Sequence, residues 1–137
     1  MNRTDLQQLA GIRLEESNAL LAAGFAEGAY YLAGYAVECA LKACIAKRTQ
    51  EHDFPDKKLV QESHTHNLNE LMRLAELKTG LEAEILTNPL MKARWAAVQE
   101  WSEASRYQHK TSSEANELLE AIDGKGRGVL PWIMKRW

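Results

Sequence analysis

The segment from Phe25 to Arg48 constrains the fold of this chain more than any other. Its small and apolar residues recur at intervals of three and four, which is the spacing of the buried face of an α-helix. Alanine and glycine add little volume to a helix surface, so neighbouring helices can pack close to this segment. We therefore predict a long central helix whose buried face comprises Ala29, Leu32, Ala33, Ala36, Val37, Ala40, Leu41 and Cys44.

Cap and breaker residues predict a first helix before the central one. It is expected to begin with a capping box at Thr4 and Gln7 and to end at Gly24. Because only a very short loop separates this helix from the central one, we expect the two to pack antiparallel.

The middle of the chain is expected to be less regular. Residues 49–67 form the longest predicted loop, with room for one turn of helix after Pro55. A third helix is expected from a cap at Asn67 to an interruption at Gly80. A fourth is expected to begin at Asn88-Pro89, since proline fits the first turn of a helix.

The sequence of the C-terminal third predicts a fifth helix and a short helix at the end of the chain. After an irregular stretch over 102–110, a capping box at Thr111 and the glutamate three residues later starts a fifth helix, which ends in the glycine-rich segment 123–128. The apolar tail 129–137 is expected to fold back as a short helix. With no alternating strand pattern, the sequence predicts an all-α fold, an antiparallel up-down bundle of four to five helices in a single domain.

Charge and hydropathy narrow the functional classes. Seventeen basic and nineteen acidic residues give a net charge of −2, so any contact with a polyanion must be local. The most apolar run, over 29–46, is too short and too polar to span a membrane, and no signal peptide is recognisable. We therefore expect a cytoplasmic protein without membrane contact, in which Cys39 and Cys44 are free buried thiols.

Four motifs follow one another along nearly the whole chain. The first is the tyrosine- and alanine-rich helix over 29–43, and the second is the segment 66–71. The third combines Trp101 with residues 105–107, and the fourth covers residues 128–133. Together these motifs resemble a HEPN domain, the higher eukaryote and prokaryote nucleotide-binding family.

The resemblance implies a fold and a biological setting. HEPN domains are antiparallel bundles of four or five helices, usually dimeric, and belong to prokaryotic toxin–antitoxin, defence and nucleotidyltransferase-associated systems. Many bind or act on RNA. The resemblance therefore implies a homodimer, a nucleotidyltransferase partner, and a nucleotide or RNA ligand for this chain.

The chain departs from the members of the family that cleave RNA. Those members carry an arginine followed, after four to six residues, by a histidine. Here Arg48 and His52 have three residues between them, and Arg106 and His109 have two. We therefore expect no catalysis; the alternative is a metal-independent ribonuclease in which Arg106 and His109 act on one phosphodiester.

One side of the central helix carries the candidate binding site. Tyr31, Tyr35, Glu38 and Lys42 are spaced four, three and four, which aligns them on one side. They can form a helix flank with a favourable ion pair, or one wall of a cleft closed by residues 101–110. In the second interpretation cations and aromatic rings hold a phosphate and a stacked base. The predicted nucleotide- or RNA-binding residues are Tyr35, Glu38, Lys42, Arg106, Tyr107 and Lys110.

Other features predict no cofactor and no metal. His64 and His66, with His52 and Glu62 nearby, lack a defined third metal ligand. The glycine-rich segment 124–128 lacks the spacing of a P-loop, so we interpret it as a hinge.

The four tryptophans predict a large packing surface in the last third of the chain. They can fill the core or an interface, and a second alternative function is a structural adaptor that binds a protein through this region. They are Trp95, Trp101, Trp132 and Trp137.

Overall fold

The computed structural model describes residues 1–51, 54 and 56–137. Within these residues every regular element is helical and no β-strand occurs, which confirms the predicted all-α class. Two 3₁₀ helices cover Glu103–Tyr107 and Gly124–Gly126. The α-helices are α1 (Arg3–Ala22), α2 (Ala26–Glu51), α3 (Lys57–Glu62), α4 (Leu68–Leu74), α5 (Lys78–Thr87), α6 (Pro89–Gln99), α7 (Ser112–Ile122) and α8 (Val129–Met134).

The start of α1 differs from the predicted one. Asn2, rather than Thr4, is the N-cap, and its side chain accepts a hydrogen bond from the backbone N–H of Asp5. The Asp5 carboxylate accepts one from the Asn2 N–H in return. The predicted box at Thr4 and Gln7 is therefore wrong, because asparagine caps a helix at least as well as threonine and stands two residues earlier. The predicted end is confirmed, since Gly24 has a φ of +89°.

Helix α1 runs back along α2. Near the turn, the buried Ser17 hydroxyl donates a hydrogen bond to the carbonyl oxygen of Ala29. Gly28 faces Leu20, whose side chain would lie 3.3 Å from a Cβ at that position. Farther along, Arg13 of α1 and Cys39 of α2 line the same groove. The two helices are therefore antiparallel neighbours.

The inward side of α2 forms the centre of the core. Most of the predicted face is fully buried, but Leu32 is only partly buried because it lies towards α1. Cys39, predicted as a buried thiol, is likewise only partly buried. Gly34 allows Trp101 to approach the helix backbone, since a Cβ there would lie 2.0 Å from the indole. The fully buried residues of the face are Ala29, Ala33, Ala36, Val37, Ala40 and Leu41.

The middle of the chain contains three short helices instead of a loop and one helix. The predicted turn of helix appears as α3, capped by Asp56; Pro55 itself lies outside the described residues. The predicted cap at Asn67 is confirmed. The predicted interruption at Gly80 is wrong, because the break falls at Glu76, which has a φ of +58°. The backbone N–H groups of Glu76 and Leu77 donate to the carbonyl oxygens of Arg73 and Met72, which closes α4, and the Glu76 carboxylate pairs with Arg48.

The C-terminal elements follow the predicted order. Helix α6 begins with Pro89 in its first turn, and α7 begins with the predicted capping box at Thr111. Residues 124–126 form a 3₁₀ turn, in which Gly124 packs against the Arg94 guanidinium. Three of the tryptophans lie in the core of the chain and Trp137 is partly buried, so most of the indole surface is covered within one chain.

In the described part of the chain, no helix combines the length and the apolarity that spanning a membrane requires.

Candidate functional site

Glu38 is the centre of the polar side of α2. It is 4% exposed, although its neighbours on the helix are mostly small and apolar. Its Oε1 accepts a hydrogen bond from Lys42 Nζ at 2.9 Å and lies 2.9 Å from His66 Nδ1. Its Oε2 is buried and meets no hydrogen-bond partner among the described residues. A buried carboxylate requires such cationic and N–H partners, because burial removes its hydration.

His66 joins three elements at this point. It stands directly before the cap of α4, and its Nδ1 contacts Glu38 of α2. Its Nε2 lies 3.2 Å from Glu103 Oε2, at the start of the Glu103–Tyr107 3₁₀ helix. From the sequence, His66 was considered only as a metal ligand and within the 66–71 motif, and both His66 and Glu103 were missed as residues of this site. The available signal was Glu38 itself, since an acid in a long helix of mostly small, apolar residues is a candidate for burial and therefore for a partner from another element.

Three aromatic rings pack together around Tyr35. The rings of Tyr31 and Tyr35 meet edge to face with centroids 5.0 Å apart, and Trp101 packs against Tyr35 at 5.2 Å. The Trp101 indole N–H donates to the carbonyl oxygen of Tyr31. Burial, then the Tyr31 hydroxyl and the Glu38 charge, raise the pKa of Tyr35 well above its usual value. Tyr35 therefore remains a neutral hydrogen-bond donor and acceptor.

Arg106 and Tyr107 lie at the margin of this aromatic group. The Arg106 guanidinium stacks 4.8 Å from the centroid of the Tyr107 ring. Its pKa is raised first by the Tyr31 side chain and then by Tyr107, so the guanidinium remains charged. Tyr107 is 80% exposed, which leaves an aromatic ring available beside a permanent cation.

The cleft that contains Lys42 differs from the predicted one. A groove of about 530 Å³ runs between α1 and α2, and the whole stripe from Tyr31 to Lys42 lines it. Its other wall is α1, with Leu6, Leu9 and Arg13, instead of residues 101–110. The reason is that α1 lies along the flank of α2 that carries the stripe. Residues 102 and 103 instead border a separate cleft of about 270 Å³ beside His66.

Two predicted residues lie apart from Lys42. The ammonium of Lys110 is 4.5 Å from the centroid of the Tyr30 ring and 3.7 Å from the Glu114 carboxylate. Tyr30 and Tyr31 are neighbours, and adjacent residues point about 100° apart on a helix, so Lys110 belongs to another side of α2. His109 contacts Glu27 at 3.5 Å, whereas Arg106 contacts Tyr31 and Tyr107.

The thiols and the histidines complete the inventory of reactive groups. Cys39 and Cys44 are unpaired, and burial raises the pKa of Cys44 to about 11, so its thiol is protonated near neutral pH. Among the described residues no group of three or more histidine, cysteine or acidic side chains could hold a metal ion. His52, one of the histidines considered as a ligand, lies outside the described residues.

The chain matches no family model, and neither the curated proteins nor the solved structures compared with it give a match. The site is therefore interpreted from its own residues and geometry.

Proposed function

We propose that this chain is a HEPN-like helical module that binds RNA or a nucleotide through the polar side of α2, without catalysis of its own. The observation that carries the proposal is the stripe of Tyr31, Tyr35, Glu38 and Lys42, lining one groove with the Arg106 guanidinium beside Tyr31. Cations supply phosphate contacts, and tyrosine rings supply stacking surfaces for bases.

The length of the stripe favours a short RNA strand over a single nucleotide. Tyr31 and Lys42 are eleven positions apart on one helix, which corresponds to about 16 Å along its axis. Arg106 adds a cation beyond Tyr31, so the two cations lie at opposite ends of the tyrosine pair. A strand of several nucleotides can reach both cations and stack on the rings between them.

Fluorescence anisotropy with labelled single-stranded RNA and labelled ATP tests this proposal. We expect RNA to bind more tightly than ATP, and Arg106→Ala and Lys42→Ala each to weaken RNA binding by about tenfold. Lys92→Ala, which removes an exposed cation on α6, is the matched control and should bind as the wild type does. Absence of binding at high micromolar protein, or equal affinity of all variants, would contradict the proposal.

The proposal includes the assembly that the HEPN resemblance implies. In it the helices form an antiparallel up-down bundle, and two copies associate as a homodimer that docks a nucleotidyltransferase in a prokaryotic toxin–antitoxin or defence system. The antiparallel pairing of α1 and α2 supports the bundle topology. Light scattering after size-exclusion chromatography should give twice the chain mass, and a monomer at every concentration would count against the dimer.

Co-expression with the product of a neighbouring nucleotidyltransferase gene tests the docking. A complex that survives purification is the expected result. Separate elution of the two proteins would remove this part of the proposal and leave RNA binding to be judged by the anisotropy experiment.

A further inference from the structure

The imidazole of His66 lies between two carboxylates from different elements. Its Nδ1 is 2.9 Å from Glu38 Oε1, and its Nε2 is 3.2 Å from Glu103 Oε2. Both distances are those of hydrogen bonds or close ion pairs. We call these three side chains the His66 bridge. It links α2 to the Glu103–Tyr107 3₁₀ helix through the residue before the α4 cap.

Counting donors shows that the His66 bridge needs an additional proton. An ionised carboxylate only accepts hydrogen bonds, and a neutral imidazole has one N–H donor and one lone pair. Two carboxylates can therefore both be satisfied only if the imidazole carries a proton on each nitrogen, or if one carboxyl group is protonated. Histidine is ordinarily more basic than glutamate by about two pKa units, so the proton belongs on the imidazole.

The surroundings of His66 favour the same assignment. From α2, Glu38 and Tyr35 face the ring, and Lys42 places a cation on the same Glu38 oxygen that His66 contacts. From the 3₁₀ helix, Glu103 is the charged group at the ring. The neighbours Thr65 and Asn67 are neutral. Histidine is the side-chain type whose charge ordinarily changes between about pH 5 and 8, so the bridge can respond to pH through its imidazole.

Loss of the proton affects the two contacts unequally. Glu38 is almost completely buried, so it retains the remaining N–H donor, which it needs in place of water. The Glu103 side chain is 45% exposed and can be hydrated instead. A neutral ring then turns a lone pair towards the Glu103 carboxylate, which is repulsive. The contact of the 3₁₀ helix is therefore the one that is lost.

We propose that the His66 bridge is a proton-dependent switch that ties the Glu103–Tyr107 segment to α2 at acidic pH and releases it at alkaline pH. Trp101 lies two residues before the 3₁₀ helix and is held between Gly34 and the Tyr31 carbonyl. The change is therefore confined to the 3₁₀ helix. That helix carries Arg106 and Tyr107. The inference concerns the conformation of this segment and does not depend on whether the chain binds RNA.

Nuclear magnetic resonance between pH 5 and 8 tests the switch. The amides of Ser105 and Gln108 close the 3₁₀ helix by bonds to Ser102 and Ser105, so their chemical shifts and exchange protection report on it. We expect the shifts to titrate in step with the His66 ring. Protection, corrected for intrinsic exchange, should fall about two- to fivefold towards pH 8, the effect of losing one exposed ion pair.

Two substitutions of Glu103 separate the switch from a general pH effect. Glu103→Gln can donate to a neutral imidazole or accept from a charged one, so protection should become independent of pH. In Glu103→Ala, the Ser105 and Gln108 amides should show the low protection of the wild type at pH 8, both at pH 5 and at pH 8. His109→Ala is the control, because this histidine follows the same segment in sequence but contacts Glu27. Its pH transition should match that of the wild type.

Three results would overturn the inference. The first is a His66 titration without any change at Ser105 and Gln108, and the second is a wild-type transition in Glu103→Gln. The third is loss of the transition in His109→Ala. Unchanged α7 amides in each variant would show that the fold is retained.

Discussion

On the inward side of α2, Ala33, Ala36 and Ala40 are completely buried and bring no polar side-chain atom with them, whereas on the neighbouring side Glu38 is almost as deeply buried but carries a charge. The alanines stabilise the fold by close packing and removal of apolar surface from water. Burial of a carboxylate with Lys42 and His66 stabilises a fold little, since desolvation offsets the attraction. The comparison therefore separates a side that explains folding from a side that invites a functional explanation.

The largest contrast should appear in the reactivity of the two thiols, one on each side. Cys44 is in the core with a pKa raised to about 11, so its labelling requires opening of the core. Cys39 is partly exposed, and burial and Glu38 raise its pKa. We expect Cys44 to react with a thiol reagent at least about 1000-fold more slowly than Cys39, since opening of the core costs about 4 kcal/mol or more.

Single-cysteine variants, Cys39→Ser and Cys44→Ser, make the two rates separately measurable by absorbance. Labelling of Cys39 should accelerate as the pH rises from 7 to 9, because the thiolate is the reactive form and its fraction increases with pH. Comparable rates for both thiols would show that the inward side of α2 opens far more readily than its packing indicates.

The second largest effect is expected where Trp101 meets α2. Gly34→Ala places a Cβ 2.0 Å from the indole, so we expect a loss of about 3 kcal/mol in the free energy of unfolding. Gly11→Ala on α1 is the control, since a Cβ there meets no atom of the described chain within 4 Å. It should stabilise the protein by up to about 1 kcal/mol. Urea denaturation of both variants gives the comparison, and equal effects would contradict it.

A smaller effect is expected from the ion pairs on the polar side. A double-mutant cycle with Glu38→Gln and His66→Asn at pH 5.5 should give a coupling free energy of about 1 kcal/mol. The same cycle for the exposed Arg13 and Glu16 pair of α1 should give about 0–0.5 kcal/mol. Urea denaturation measures both cycles. A coupling no larger for the buried pair would show that Glu38 is not held by His66 in solution.

The smallest effect is expected from His109→Ala. The His109 side chain is fully exposed and contacts Glu27 at 3.5 Å, so its removal should leave the urea denaturation midpoint unchanged. Because Arg106 contacts other groups, bacterial growth and RNA integrity should be identical on expression of wild type and variant. RNA degradation by the wild type alone would favour the ribonuclease alternative instead.

Local signals in the sequence were sufficient for most helices. The box at Thr111, the cap at Asn67 and the proline at position 89 each act within one turn, and the structure confirms all three. The break at Glu76 could not be predicted this way, because it is a left-handed turn at a glutamate, a residue type that rarely adopts a positive φ. Gly80 was misleading because a glycine disfavours a helix by only about 1 kcal/mol, which does not interrupt α5.

In the candidate site too, residues on one helix could be predicted from the sequence, whereas partners from distant segments could not. The alignment of Tyr31, Tyr35, Glu38 and Lys42 follows from helical spacing alone, and the structure places all four along one groove. His66 contacts Glu38 from 28 positions further along the chain, and Glu103 contacts the other nitrogen of the His66 ring from 37 positions beyond that, so no spacing rule relates them. The assignment of Lys110 to the same side failed because the path of the irregular stretch 102–110 is set by packing.

The contact between Gly34 and Trp101 predicts how the two positions should vary among homologous sequences. With the indole lying where a Cβ would have to be, a larger residue at position 34 requires a smaller one at position 101. The two positions should therefore covary although they are 67 residues apart in sequence. Loss of the indole would also leave the Tyr31 carbonyl without its side-chain donor, so the pair preserves the geometry of the polar side as well as the packing of the core.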